Sequence, residues 1–144
     1  MAEEARPAME LILAHYEQMQ DAMCSALDSE FGPKPWARSP NSPGSVRSGC
    51  GNSGGRGESI ALPVQSFEGT YEPAAWDRVV ETVREVGGKY GFGSTGTIVS
   101  KSDDVEVFGE DEYGGSYVFG MAVNAVLAVR TGCHEWAREP ESEY

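Results

Sequence analysis

Residues 116–131 read SYVFGMAVNAVLAVRT, and this stretch decides the fold. Tyr117, Phe119, Met121, Val123, Ala125, Leu127 and Val129 alternate along it, the two-residue period of a strand with one face in a core. Val118, Ala122, Val126 and Ala128 carry apolar groups to parts of the other face. The spacing therefore predicts one long central strand, covered on both sides for some of its length. Gly120 and Asn124 interrupt the run, which falls short of the ~20 apolar residues that a spanning helix needs.

Working back along the chain, Tyr113 and Ser116 flank Gly114-Gly115, a hairpin signal because a type I′ turn needs positive φ at both central positions. Residues 105–108 alternate before the acidic turn Glu110-Asp111-Glu112, and residues 97–100 are short and β-branched. These segments read as a three-stranded meander. Residues 73–90 form a helical pattern with Trp76, Val79, Val80, Val83 and Val86 on one face, stopped at Gly91. Residues 58–67 read as a strand through Ile60, Leu62 and Val64. Pro63 points to an edge position there, because proline cannot donate to a neighbouring strand. Residues 6–29 repeat apolar side chains at Met9, Ile12, Leu13, Tyr16, Met19, Met23 and Leu27, an amphipathic helix ended by Gly32-Pro33. The expected class is α+β: two helices packed on an antiparallel sheet of about four strands, in the order α-β-α-β-β-β.

The 144 residues suit one domain, with residues 1–5 and 137–144 as frayed ends. Residues 33–57 break the pattern: four prolines (Pro33, Pro35, Pro40, Pro43) and six glycines from Gly44 to Gly57 leave little for a core. They read as one long Gly/Pro-rich loop, with a short edge strand near Trp36–Ser39.

The charge excludes several functions. Eleven basic against 23 acidic residues leave a net −12, so a phosphate-binding surface for nucleic acid is not expected. Residues 1–31 hold seven acids and one base, and residues 101–144 ten acids and three bases, whereas residues 34–58 are net +3. An acidic face can steer association with a basic partner; it also keeps a domain soluble. Gly91-Phe92-Gly93-Ser94-Thr95-Gly96 matches G-x-G-x-x-G. It follows a helix and precedes a strand, the reverse of a dinucleotide site, and reads as an αβ connection. The clusters Asp103-Asp104-Val105-Glu106 and Glu110-Asp111-Glu112 lack calcium-loop spacing. No C-x-x-C, P-loop or H-E-x-x-H occurs. His15 lies beside the apolar stripe of the first helix, and His134 follows Cys133 without an identifiable third group to orient a nucleophilic pair. No catalytic residue, metal ligand or cofactor is expected.

Of three cysteines, Cys24 falls on the apolar stripe and reads as a small buried hydrophobe. Cys50 and Cys133 lie where a bare thiol has no packing role. Either they pair, closing a loop of about 84 residues, or they are two unrelated thiols in a reducing cytoplasm, where disulfides are rare. Met1 opens directly into acidic sequence, with no basic or apolar leader.

Asp111-Glu112-Tyr113-Gly114-Gly115, then Phe119-Gly120, then Asn124 through Thr131-Gly132-Cys133-His134, resemble the LppA-like lipoproteins of actinobacteria. The helix from Trp76 to Tyr90-Gly91-Phe92 and the lone loop cysteine, Cys50, are similar too. The resemblance implies an exported, cell-envelope-associated, lipid-anchored ectodomain in which Cys50 and Cys133 pair, although the sequence shows no lipobox. The membrane would then be met only through that anchor. The expected function is a non-enzymatic binding domain for a protein partner, basic in character, in the manner of an immunity-type inhibitor. Glu110, Asp111, Glu112, Trp36 and Trp76 are the candidate binding residues. Two alternatives stand beside it: a small-ligand pocket lined by Trp36, Tyr71 and Trp76, and a cytoplasmic acidic mimic of nucleic acid with reduced cysteines.

Overall fold

The structure, a computed structural model, describes residues 7–38, 46–50 and 57–137. Helix α1 spans Met9–Phe31 and buries Met9, Ile12, Tyr16, Met19, Met23 and Leu27, one side of a 3.6-residue repeat. No side chain caps its start; the Met9 amide donates instead to the Glu135 carbonyl at 2.8 Å. Gly32 ends it at φ +98°, a backbone angle that residues with a Cβ adopt only under strain. A 3₁₀ turn, Pro73–Ala75, leads into α2, Trp76–Lys89. Arg78 Nε donates to Glu30 Oε2 at 2.5 Å and Thr82 Oγ1 to Glu30 Oε1 at 2.9 Å, tying α2 to the end of α1. The Arg78 and Thr82 hydrogen bonds hold the Glu30 carboxyl below the usual glutamate range.

Among the described residues the sheet has eight strands rather than about four, all antiparallel: β1 (Ala37–Arg38), β2 (Val46–Gly49), β3 (Glu58–Ala61), β4 (Gln65–Glu68), β5 (Ser94–Lys101), β6 (Asp104–Glu110), β7 (Ser116–Met121) and β8 (Asn124–Arg130). The order is β1-β4-β8-β7-β6-β5, with β2 joined through β3 to the end of β8. Three expectations fail here, each for a physical reason.

The stretch 116–131 is a hairpin, not one strand. Its connection carries three residues between the paired Met121 and Ala125, an odd number. Tyr117, Phe119 and Met121 on β7 therefore keep the phase of Ala125, Leu127 and Val129 on β8, and all six are buried. The alternation passes through the turn unbroken, while Val123 at the tip is 81% exposed.

Residues 58–67 are not at an edge. Strands β3 and β4 both pair with β8, and the two short strands from the Gly/Pro-rich stretch lie on their other side, β2 beside β3 and β1 beside β4. Pro63 falls in the gap between β3 and β4, where no ladder bond is asked of it.

The β6–β7 connection is not a two-residue turn. It spans residues 111–115, and Asp111 Oδ1 accepts from the amides of Tyr113 (3.0 Å) and Gly115 (2.8 Å). Only Gly114 takes a positive φ, +87°.

Both helices lie on the face that carries Tyr117, Phe119 and Leu127. Gln20 Nε2 donates to the Leu127 carbonyl at 3.3 Å. A Cβ placed on Gly87 of α2 would lie 2.8 Å from the Tyr117 ring, and one on Gly109 of β6 only 2.3 Å. The two glycines thus admit Tyr117 between helix and sheet, and burial pushes its phenol up. Phe92 stacks between Tyr16 and Tyr117, with centroids 5.0 and 5.8 Å away. Among the described residues no helix lies on the opposite face of the sheet, where Val118 and Ala128 are half-buried and Val126 is exposed.

Candidate functional site

At the start of α1 the chain builds a hollow of about 420 Å³. Leu11, Ile12 and His15 line it from α1, Tyr90 and Gly91 from the end of α2, and Asp111, Glu112 and Tyr113 from the β6–β7 loop. His15 donates from Nε2 to the Tyr90 carbonyl at 2.9 Å, closing one side. The Tyr16 hydroxyl donates to Asp111 Oδ2. With its two amide partners, this makes Asp111 the peg that holds the acidic loop against α1. Glu110 and Glu112 are exposed. Of the three candidate acids, then, the middle one organises the loop and its neighbours face solvent.

The candidate tryptophans stand elsewhere, beside the other end of α1, a helix about 34 Å long at 1.5 Å per residue. Trp36 packs edge-on to Phe67 at 4.7 Å; Phe67 meets Tyr71, and Tyr71 meets Phe31, each at 5.4 Å. Trp76 donates its indole N–H to the Tyr71 carbonyl at 2.8 Å and is buried. Where a small-ligand pocket between Trp36, Tyr71 and Trp76 was expected, the rings of Trp36, Phe67, Tyr71 and Phe31 pack against one another. A shallow cleft of about 310 Å³ opens nearby, lined by Phe31, Lys34, Tyr71 and Glu72, and neither tryptophan lines it. The five candidate binding residues do not share one site.

A third cluster gathers around the cysteines. Cys50 and Cys133 form a disulfide with Cα atoms 6.2 Å apart. Next to them Glu58 and His134 exchange backbone hydrogen bonds of 2.9 Å. The Glu58 carboxylate accepts from Trp136 Nε1 at 2.7 Å and from Arg47 Nη2 at 2.7 Å. These bonds, the one from Trp136 foremost, hold it below the usual glutamate range. Buried His134 bonds through Nδ1 to the Pro7 carbonyl at 2.9 Å. With its sulfur in the disulfide, Cys133 offers no thiolate for a Cys133/His134 nucleophile. Cys24 is the free cysteine; burial, with Asp28 and Asp21 nearby, pushes its thiol up to about 12, which keeps it unreactive. No group of three or more His, Cys, Asp or Glu suited to a metal ion occurs among the described residues.

The open face of the sheet carries Phe108, Val118, Val126 and Ala128 in paired register, with Glu106 beside Gly120. A groove of about 330 Å³ runs over Val118, Val126 and Ala128, with Asp104 and Glu106 at its rim. Sequence reasoning missed both this groove and the hollow beside α1. For the hollow there was one signal: Leu11 is apolar, lies off the stripe of α1, and sits one turn before His15.

The fold and the cross-link define a disulfide-stapled α+β domain with one open sheet face. A family profile described as a lipoprotein confined to pathogenic Mycobacterium matches residues 3–135, and the chain belongs to that LppA family. Among solved structures it is similar to the lipoprotein LppA from Mycobacterium tuberculosis, with a TM-score of 0.67 and 11% identity over 90% of this chain and 79% of that one. It is also similar to a DUF4853 family protein from Actinomyces odontolyticus, with a TM-score of 0.66 and 12% identity over 96% of this chain and 75% of that one. At such identities the likeness shows the shared fold. A search of curated proteins gives no match. The family description carries no enzymatic activity, and no helix among the described residues is long and apolar enough to cross a membrane.

Proposed function

We propose that this chain is the extracytoplasmic domain of a lipoprotein that works by binding rather than by chemistry, docking a basic protein partner on its open sheet face and occluding it as an immunity-type inhibitor would. The observation that carries this reading is the half-buried apolar row Phe108–Val118–Ala128 with exposed Val126 alongside, on a face with no described helix, and with Asp104 and Glu106 lining its groove. Exposed apolar surface rimmed by charge is the common anatomy of a protein interface. The Cys50–Cys133 bond supports the compartment, since disulfides persist where the surroundings oxidise.

The test is site-specific photo-cross-linking on intact cells from Val126, with Glu81 on α2 as the control, followed by affinity measurements with the purified adduct partner. An adduct from position 126 alone is expected, with affinity that falls as salt rises and is lost in E106K. A Debye length shrinking from about 10 Å at 0.1 M to about 3 Å at 1 M must weaken a charge-steered contact. Equal adducts from both positions, or affinity indifferent to salt, overturn the reading.

A further inference from the structure

We infer that the hollow at the start of α1 is a binding site for an organic cation, a primary ammonium group carried on an apolar stem. It lies on the helix side of the molecule, away from the open sheet face, and stands whether or not that face docks a protein. What makes it a site is the cavity rather than its acids. At about 420 Å³ it falls within the roughly 300–1,000 Å³ of small-molecule pockets.

Its walls suit a hydrocarbon chain. Leu11 is 68% exposed, an unusual place for a leucine on a helix whose apolar stripe is otherwise buried, and Tyr90 and Tyr113 add ring surface. Its polar groups converge from one loop. Glu112 is exposed, and Asp111 lies next to it. A carboxylate has about four acceptor positions. Asp111 uses three, two on Oδ1 for the amides of Tyr113 and Gly115 and one on Oδ2 for the Tyr16 hydroxyl. It is therefore fixed in place with acceptor capacity left on Oδ2. The tyrosine rings add the attraction of a π-face for a cation, and among the described residues neither Lys nor Arg lines the hollow.

Other ligand classes fit less well. An anion would seek unbonded amides at the helix start, but the Met9 amide is taken by the Glu135 carbonyl, and the acidic residues Asp111 and Glu112 are both in the lining. A neutral apolar ligand would leave those carboxylates against surface that offers them nothing.

The experiment is a two-dimensional amide NMR titration of the whole chain with n-butylammonium, n-butanol and butyrate at matched ionic strength. Saturable shifts at Leu11, Gly91, Glu112 and Tyr113 are expected with n-butylammonium alone. L11W, which fills the hollow from an exposed position, abolishes them. E112Q weakens binding about two- to fivefold, the factor an exposed charge contact carries. E81Q, which touches the Arg78 network instead (3.3 Å), binds as the parent does; melting temperatures confirm that each variant is folded. Equal shifts from n-butanol, shifts that never saturate, or an E112Q variant that binds as well as the parent overturn the assignment. Spermidine and acetyl-Gly-Lys-Gly-amide then separate the two sources of such a group. Tighter binding of the first marks a free polyamine, and of the second a lysine of another protein; both keep an ammonium in the hollow.

Discussion

Removing the Cys50–Cys133 bond by C50S/C133S tests how this domain is held together, and the size of the effect follows from its place in the chain. The sulfurs join residues 83 apart in sequence. Closing so long a loop in the unfolded chain costs an entropy that the chain-closure relation puts at about 4.5 kcal/mol at 25 °C. The folded state has little to lose in exchange. Cys50 N donates to the Gly57 carbonyl at 2.9 Å, and the backbone pair between Glu58 and His134 holds the same two segments together. The loss therefore falls on the unfolded ensemble, which becomes freer to expand. With a urea slope of about 2 kcal/mol/M, the midpoint should drop by about 2 M, and the slope itself should rise. The assay is equilibrium urea unfolding followed by tryptophan fluorescence and by far-ultraviolet circular dichroism, on parent and variant, with thiol alkylation and mass measurement fixing the redox state of each. Single C50S should match the double variant, because either change removes the whole bond. Midpoints within about 0.3 M of each other, with the parent verified as oxidised, would refute the reasoning, since native-state bonds alone would then account for the stability. Three alkylatable thiols in protein recovered from the cell envelope would remove the compartment assignment as well.

Two further outcomes follow from single positions. G109A should destabilise by about 2–3 kcal/mol in urea unfolding, because the new methyl would stand 2.3 Å from a Tyr117 ring that Gly87 confines from the other side; G88A, with open space around its Cβ, should instead stabilise by about 0.5–1 kcal/mol. E58Q should flatten the acid side of the stability profile. Glu58 titrates lower in the folded chain than in the unfolded one, so its contribution is complete above the ordinary glutamate value, about 4.3, and disappears as pH falls through the lower folded value. Parent and E58Q melting curves that stay the same distance apart across that window would contradict the Trp136 and Arg47 hydrogen bonds as the cause.

Much of the fold was legible because helices declare themselves locally. The stripe from Met9 to Leu27 and the Gly32-Pro33 stop need only the 3.6-residue period and backbone sterics, and α1 follows them. Strand count was not legible, for a reason of parity. A connection of three residues leaves odd-numbered side chains on the same face before and after the turn, so a hairpin and a single long strand give the same alternation. Of the two residues that interrupt that stretch, Gly120 and Asn124, it is Asn124 that stands at the turn; its Oδ1 accepts from the Gly69 amide at 3.1 Å. Of the two short strands in the Gly/Pro-rich stretch, β1 matches the edge strand expected near Trp36–Ser39, whereas β2 was hidden because its pairing is decided by β3, not by its own propensity.

The acidic loop was found, but its division of labour was not, since three adjacent acids do not show which of them the core will engage. Asp111 turns inward because its short side chain can reach the amides two and four residues ahead, the habit of aspartate in tight loops, and because Tyr16 offers a hydroxyl from across the core. That contact comes from a residue 95 positions away, a separation no local pattern carries. The hollow has the same origin: its walls come from residues 7–15, 90–91 and 111–113, which only the packing of α1 against the α2–β5 and β6–β7 connections brings together. Since the peg that shapes the hollow is also a carboxylate in its wall, D111N should loosen the loop and weaken cation binding together, whereas E112Q touches binding alone. The pair of variants therefore separates the acid that builds the site from the acid that serves it.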